Sequence, residues 1–229
     1  MKKTVLMLLL LWAAKLPAQT ILQQFAAVSS GAGVVSDMDL PQTSSEGSVI
    51  IVMPSQLTPG IKVESVTDDA PGGSNIYKRA DGANSSCSAK PIEIWYCEKC
   101  KAGVNELKFH LSEHTQASIN VFLEVSNLAL PAVLDGTAHV SDGVANAKGV
   151  EPGPRIVTSG TDFVIARFVG QTRPTGVTPE TWTYKTSYVY GLNMPAGTHQ
   201  PTLTGGKAGD NFCMSMAAFK TAVPVPAAK

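Results

Sequence analysis

The chain has 229 residues, 44% of them hydrophobic and only 16% charged, with 18 basic side chains against 18 acidic ones. That apolar share is enough to bury a core and excludes a chain disordered throughout. A formal charge of zero with no basic run leaves no electrostatic footprint for nucleic acid.

Lys2 and Lys3 lead into an apolar block from Val5 to Ala14, followed by Lys15-Leu16-Pro17-Ala18. This pattern predicts an export signal over residues 1–18. The block falls short of the roughly 20 apolar residues of a membrane-spanning helix, and no cysteine follows it to accept a lipid. No later run is long and apolar enough to span a bilayer, so the mature protein is expected to be secreted or held at the cell envelope.

Residues 19–47 are small, polar and Ser/Gly-rich, with a weak apolar stretch at Ile21, Leu22, Phe25 and Val28, and read as an arm or an edge strand. Residues 48–220 read as the body of a β-sandwich. The β-branched run from Ser48 to Met53, closed by Pro54, suits a strand buried on both faces. Ile61 to Val66 continues the strands, and Asp68 to Asn75 supplies a turn. After Ile92 to Tyr96, Leu107, Phe109 and Leu111 alternate with Glu106, Lys108 and His110, a period of two that predicts strand. Ser118 to Leu128 repeats it, with Ile119, Val121, Leu123 and Val125 on one face and Asn120, Phe122 and Glu124 on the other.

A long Gly-rich connection is expected from about Asp135 to Gly160. Strands are then predicted over Asp162 to Val169, Thr181 to Leu192 and Asn211 to Lys220, separated by Pro/Gly turns. Residues 221–229 look extended and loosely held. The fold class is thus all-β, an antiparallel two-sheet sandwich of roughly ten strands.

The segments Gly47 to Val52, Val63 to Asp68, Ile92 to Tyr96, Ile119 to Leu128, Asp162 to Ala166 and Met216 to Lys220 resemble, in this order, a family of secreted bacterial β-sandwich domains frequent in acidobacterial proteins. The resemblance implies a jelly-roll-like sandwich and brings no catalytic residue or cofactor with it. Asn127 stands where the family pattern often has glycine, and the pair Cys97 and Cys100 marks a subgroup.

Four cysteines, Cys87, Cys97, Cys100 and Cys213, in an exported chain predict disulfides. Three pairings are open. Proximity favours Cys97 with Cys100, and Cys87 with Cys213 would tie the last strand to the middle of the chain. Zinc held by Cys97, Cys100, His110 and His114 is the competing reading, but Cys100 and His110 stand closer than the finger separation of about 12 residues, and the histidines fall on a strand and its turn. A redox role for Cys97 and Cys100 lacks the helix start that such motifs use.

Trp182, Tyr184, Tyr188 and Tyr190 share one parity of a single predicted strand. Exposed, they would be a stacking platform for sugar rings; turned inward, they are core. Glu93 and Glu124 would suit a glycoside hydrolase only if the carboxyls faced one cleft across about 5 to 9 Å. Asp68, Asp69 and Asn75 beside Gly72 and Gly73 have calcium-ligand chemistry, which turn formation alone also explains. Asn84-Ser85-Ser86 matches a glycosylation acceptor, relevant only in a eukaryote. His139 and His199 fall in predicted loops and complete no triad.

No cofactor and no metal is expected. The sequence favours a non-catalytic, secreted or cell-surface module with a structural or adhesive role, its partner an extracellular polysaccharide or another cell-surface component. A carbohydrate-binding module working through the aromatic strand face is the alternative, and a hydrolase built on Glu93 and Glu124 comes third.

Overall fold

A computed structural model describes residues 18–29, 33–56, 58–80, 85–87, 90–115 and 117–222. All of the predicted export signal but Ala18, together with Asn84 and most of the predicted tail, lies outside the described residues. The structure is all-β and antiparallel, and no helix among the described residues is long and apolar enough to cross a membrane.

The first half of the chain supplies β1 (Thr20–Ser29), β2 (Gly33–Asp39), β3 (Val49–Gln56), β4 (Val63–Asp68), β5 (Tyr77–Arg79), β6 (Ser85–Cys87), β7 (Lys90–Ile92), β8 (Trp95–Cys97), β9 (Glu106–Thr115) and β10 (Ser118–Ser126). The second half supplies β11 (Leu134–Val144), β12 (Glu151–Pro152), β13 (Ile156–Thr158), β14 (Asp162–Gly170), β15 (Gly176–Thr178), β16 (Thr183–Lys185), β17 (Tyr188–Met194), β18 (Gly197–His199), β19 (Thr202–Thr204) and β20 (Asn211–Lys220). The strand count exceeds the expected ten because turns and interruptions such as Glu93-Ile94 cut several runs into short pieces.

Within the first half, the chain alternates between two sheets from β1 to β5 and again from β8 to β10. A front sheet has the order β2-β9-β4. The central sheet runs β1-β10-β3, and β7 and β8 follow one another along the far side of β3, with β6 and β5 beyond them. This alternation is the jelly-roll pattern of two facing sheets. The second half lays a back sheet, β11-β20-β14-β17-β16, over the other face of the central one. Two small outer sheets, β12-β19-β15 and β13-β18, complete the stack.

The period of two in each strand explains why the layers hold. On β3, Val49, Ile51 and Met53 point toward the back sheet and meet Phe163, Ile165, Tyr188, Tyr190, Ala217 and Phe219. Ile50 and Val52 point the other way, against Phe109, Leu107 and Val63 of the front sheet. The stretch of β3 from Val49 to Met53, apolar at every position, therefore sits between two layers, as the β-branched run predicted. The back sheet is covered twice as well, since Val164, Ala166, Met214, Met216 and Ala218 pack beneath Ile156, Trp182 and Leu203.

One local feature departs from the sequence reading. The expected connection from Asp135 to Gly160 contains β11, an edge strand whose half-buried residues Ala138 and Val140 pack on the back sheet. Its glycines are close approaches: a Cβ on Gly143 would stand 2.7 Å from the Phe212 ring, and one on Gly136 would stand 3.0 Å from the Val157 carbonyl. After β10, Asn127 adopts a φ of 62°, the left-handed conformation that glycine or asparagine accepts, and its Nδ2 donates to the Ala18 carbonyl at 2.7 Å.

Candidate functional site

β14 points Phe163 and Ile165 into the layer between the central and back sheets, and the next residue of that parity is Arg167. Its Cα partners across the sheet are Tyr188 and Ser215, so the guanidinium continues the apolar row. Arg167 is only 1% exposed. Nη1 donates to the Phe168 carbonyl at 2.9 Å and also to the Ser187 carbonyl. Nε is sealed from solvent without an acceptor, and Nη2 makes no hydrogen bond among the described residues. No carboxylate pairs with this arginine among the described residues. Burial draws its pKa down to about 10, which leaves it charged at neutral pH.

A cavity of about 380 Å³ opens beside it, where the two main sheets diverge. Ala26, Ala27 and Val28 of β1 and Ile119 of β10 form one wall; Phe168 to Gln171, Arg173 and Pro174 form the other, with Thr186 and Ser187 at the end. Arg173, exposed at the mouth, adds a second positive charge. Burying an unpaired guanidinium is costly. A charge kept in that state inside a cleft of ligand-binding size marks a candidate anion site. A wider hollow of about 660 Å³ lies near Lys78 and Arg79, but those cations already pair with Glu98 at 2.8 Å and Glu93 at 3.4 Å.

The four aromatic candidates do not form a platform. The predicted strand is a hairpin that turns at Thr186 and Ser187, where Lys185 pairs with Tyr188 and Tyr184 with Val189. Residues directly opposite share a face, so the turn reverses the parity between Tyr184 and Tyr188. Tyr188 and Tyr190 are buried between the central and back sheets. Trp182, 4% exposed, and the half-buried Tyr184 pack on the opposite face of the back sheet. Of the two placements the sequence left open, the structure has the inward one, and as two separate pieces of core instead of one face.

Glu93 and Glu124 are not brought together either. Glu124 lies opposite Ile50, whereas the Glu93 N–H bonds to the Pro54 carbonyl, an offset of on the order of 13 Å along β3. Each has its own partners: Gln23, Ser45 and Ser48 donate to Glu124, each at 2.6 Å, and Trp95 and Arg79 donate to Glu93 at 3.1 and 3.4 Å. Burial pushes the Glu93 carboxyl up, against the pull of those two donors.

Asp68 accepts from Asn75 and Tyr77 at 2.7 Å, while Asp69 accepts from the N–H groups of Asn105 and Glu106 at 2.7 and 2.9 Å. Burial raises the Asp69 carboxyl, but those backbone donors and the Asn105 side chain outweigh it and hold it low. The carboxylates close the turn. Cys97 is disulfide-bonded to Cys100, their Cα atoms 5.5 Å apart, so neither thiolate is free for a metal. His110 bonds to Thr67 at 2.9 Å, and His114 is exposed. Cys213 is engaged in a disulfide. The side chain of Cys87 lies outside the described ones.

Two buried carboxyls, like Arg167, escaped the sequence reading. Both oxygens of Glu151 lack a hydrogen-bond donor, and burial, then the nearby charge of Asp210, pushes its pKa up to about 7. Asp162 is also pushed up to about 7, by burial and by its contact with Asp135. Asp135 accepts from Ser159 and from Lys220, the latter at 2.5 Å. The available signal was parity on β14 for Arg167; for Glu151 and Asp162, burial through long-range contact left no local pattern. Compared with known proteins, the chain matches no family model and no curated protein.

Proposed function

We propose that this chain is an exported, non-catalytic β-sandwich module with a structural or adhesive role, which grips an acidic group of an extracellular or cell-surface component in the Arg167 cleft. The observation that carries this reading is a fully buried guanidinium, paired with no carboxylate among the described residues, beside a cavity of about 380 Å³. A carboxylate or similar anion entering there gains charge-assisted hydrogen bonds in a poorly screened setting. The basic start and apolar block before Ala18 support export, and the disulfide between Cys97 and Cys100 is compatible with an oxidising compartment.

The test is a panel of carboxylated ligands, sugar acids and alkyl acids alike, each with its uncharged counterpart, titrated into the disulfide-bonded protein. At least one carboxylated member is expected to bind, and to bind more weakly to Arg167→Met and Arg173→Glu. Equal retention of charged and uncharged members, or indifference to both substitutions, would overturn the reading.

A further inference from the structure

We infer that the ligand class of the Arg167 cleft is an aliphatic monocarboxylate, an inference that rests on the cleft being an anion site. The first ground is the guanidinium nitrogen left to the cleft. Nη1 is tied to the carbonyls of Phe168 and Ser187 and Nε is sealed from solvent, while Nη2 carries no partner among the described residues and is not sealed. Nη2 can therefore donate a charge-assisted hydrogen bond to an oxygen of one carboxylate.

The second ground is the lining of the cleft. Ala26, Ala27, Val28 and Ile119 on the central sheet line one side, and Val169 on the back sheet and Pro174 in the connection after β14 line the other. A sugar acid seated there would leave ring hydroxyls against methyl groups, and each buried hydroxyl without a partner is costly. An alkyl chain is matched to the same walls and gains from leaving water. Among the described residues, the one other cation lining the cleft is Arg173, at the mouth, where it draws the anion in. At the roughly 30 Å³ that a water-sized group occupies, a cavity of 380 Å³ takes about a dozen heavy atoms. That is the size of octanoate or decanoate.

The experiment is calorimetric titration of the full disulfide-bonded protein with sodium octanoate, 1-octanol and sodium glucuronate, repeated on Arg167→Met and Arg173→Glu. Octanoate is expected to bind saturably at one site, while 1-octanol and glucuronate do not. Arg167→Met should lower octanoate affinity by at least about tenfold, because hydrogen bonds to a charged group are lost. Arg173→Glu, on the surface, should preserve the fold and lower affinity by a few-fold or more, and it stands as the test if Arg167→Met unfolds. Binding of 1-octanol as tight as that of octanoate would overturn the inference, as would octanoate binding unchanged in both variants. Glucuronate binding that needs Arg167, without octanoate binding, would overturn the aliphatic class and leave the anion site standing. Silence from every carboxylate would remove both.

Discussion

Glu151 and Asp162 are buried carboxyls whose protonated forms the fold prefers, each with a pKa pushed up to about 7. Because the folded value lies above the unfolded one, their contribution to stability is complete in acid, below the ordinary carboxylate range. It is lost as pH rises through about 7 and changes little above that. Glu151→Gln and Asp162→Asn remove the titration while keeping the shape of the neutral acid. Each is expected to stabilise the protein at pH 8 by on the order of 1 kcal/mol, after allowance for screening at the partly solvated rim, and to change little at pH 4. Thermal melts across that range check it: a gain that does not grow with pH would show that charge is not the cause. At this scale the sequence was partly readable. Asp68 and Asp69 declared a turn because their partners lie nearby in sequence or on the adjoining strand. Glu151 gave no such sign, since what strands it is the approach of Gly206 and Asp210 from a distant loop.

Strands with a continuous or strictly alternating pattern were the most legible elements. β3, β10 and β20 fall where hydrophobic periodicity put them, because burial on one or both faces dictates each residue. The region from Thr181 to Leu192 misled because parity was counted across an unseen two-residue turn. β11 was hidden for another reason, its glycines reading as a connection although they are spaces that neighbouring groups fill. Gly143 gives the sharper test of that view. Gly143→Val should drive a side chain into the Phe212 ring, which is itself buried. The expected loss is about 1 to 3 kcal/mol, as for other overpacked sites, read as a lower urea midpoint. An unchanged midpoint would mean that β11 yields freely at the sheet edge.

Across the whole molecule, the layers divide between the two halves of the chain, with β1 to β10 confined to the front and central sheets and β11 to β20 to the rest. Cys213 on β20 is bonded, and the backbone of β6, which ends in Cys87, lies against β20. Peptide mapping without reduction is expected to recover Cys87 linked to Cys213 and Cys97 linked to Cys100. In the chain-entropy account the wide loop closed by the first bridge is worth about 5 kcal/mol and the tight loop of the second about 2. Joint replacement of Cys87 and Cys213 by alanine should therefore lower the melting temperature more than joint replacement of Cys97 and Cys100. The reverse order would place the stabilisation in local strand geometry and not in the linkage of the two halves.

The double coverage of the central sheet also constrains assembly in time. When residues 127–133 first emerge, the jelly roll ahead of them can close on the front sheet, but Val49, Ile51, Met53, Val121 and Leu123 still lack the layer that will cover them. Until the second half docks, the molecule carries a broad greasy flank, the kind of surface that sticks to its neighbours. A chain that stalls or is clipped between β10 and β11 is thus left not as a smaller working module but as an adhesive fragment, and crossing a membrane from the N-terminus onward would prolong that vulnerable interval.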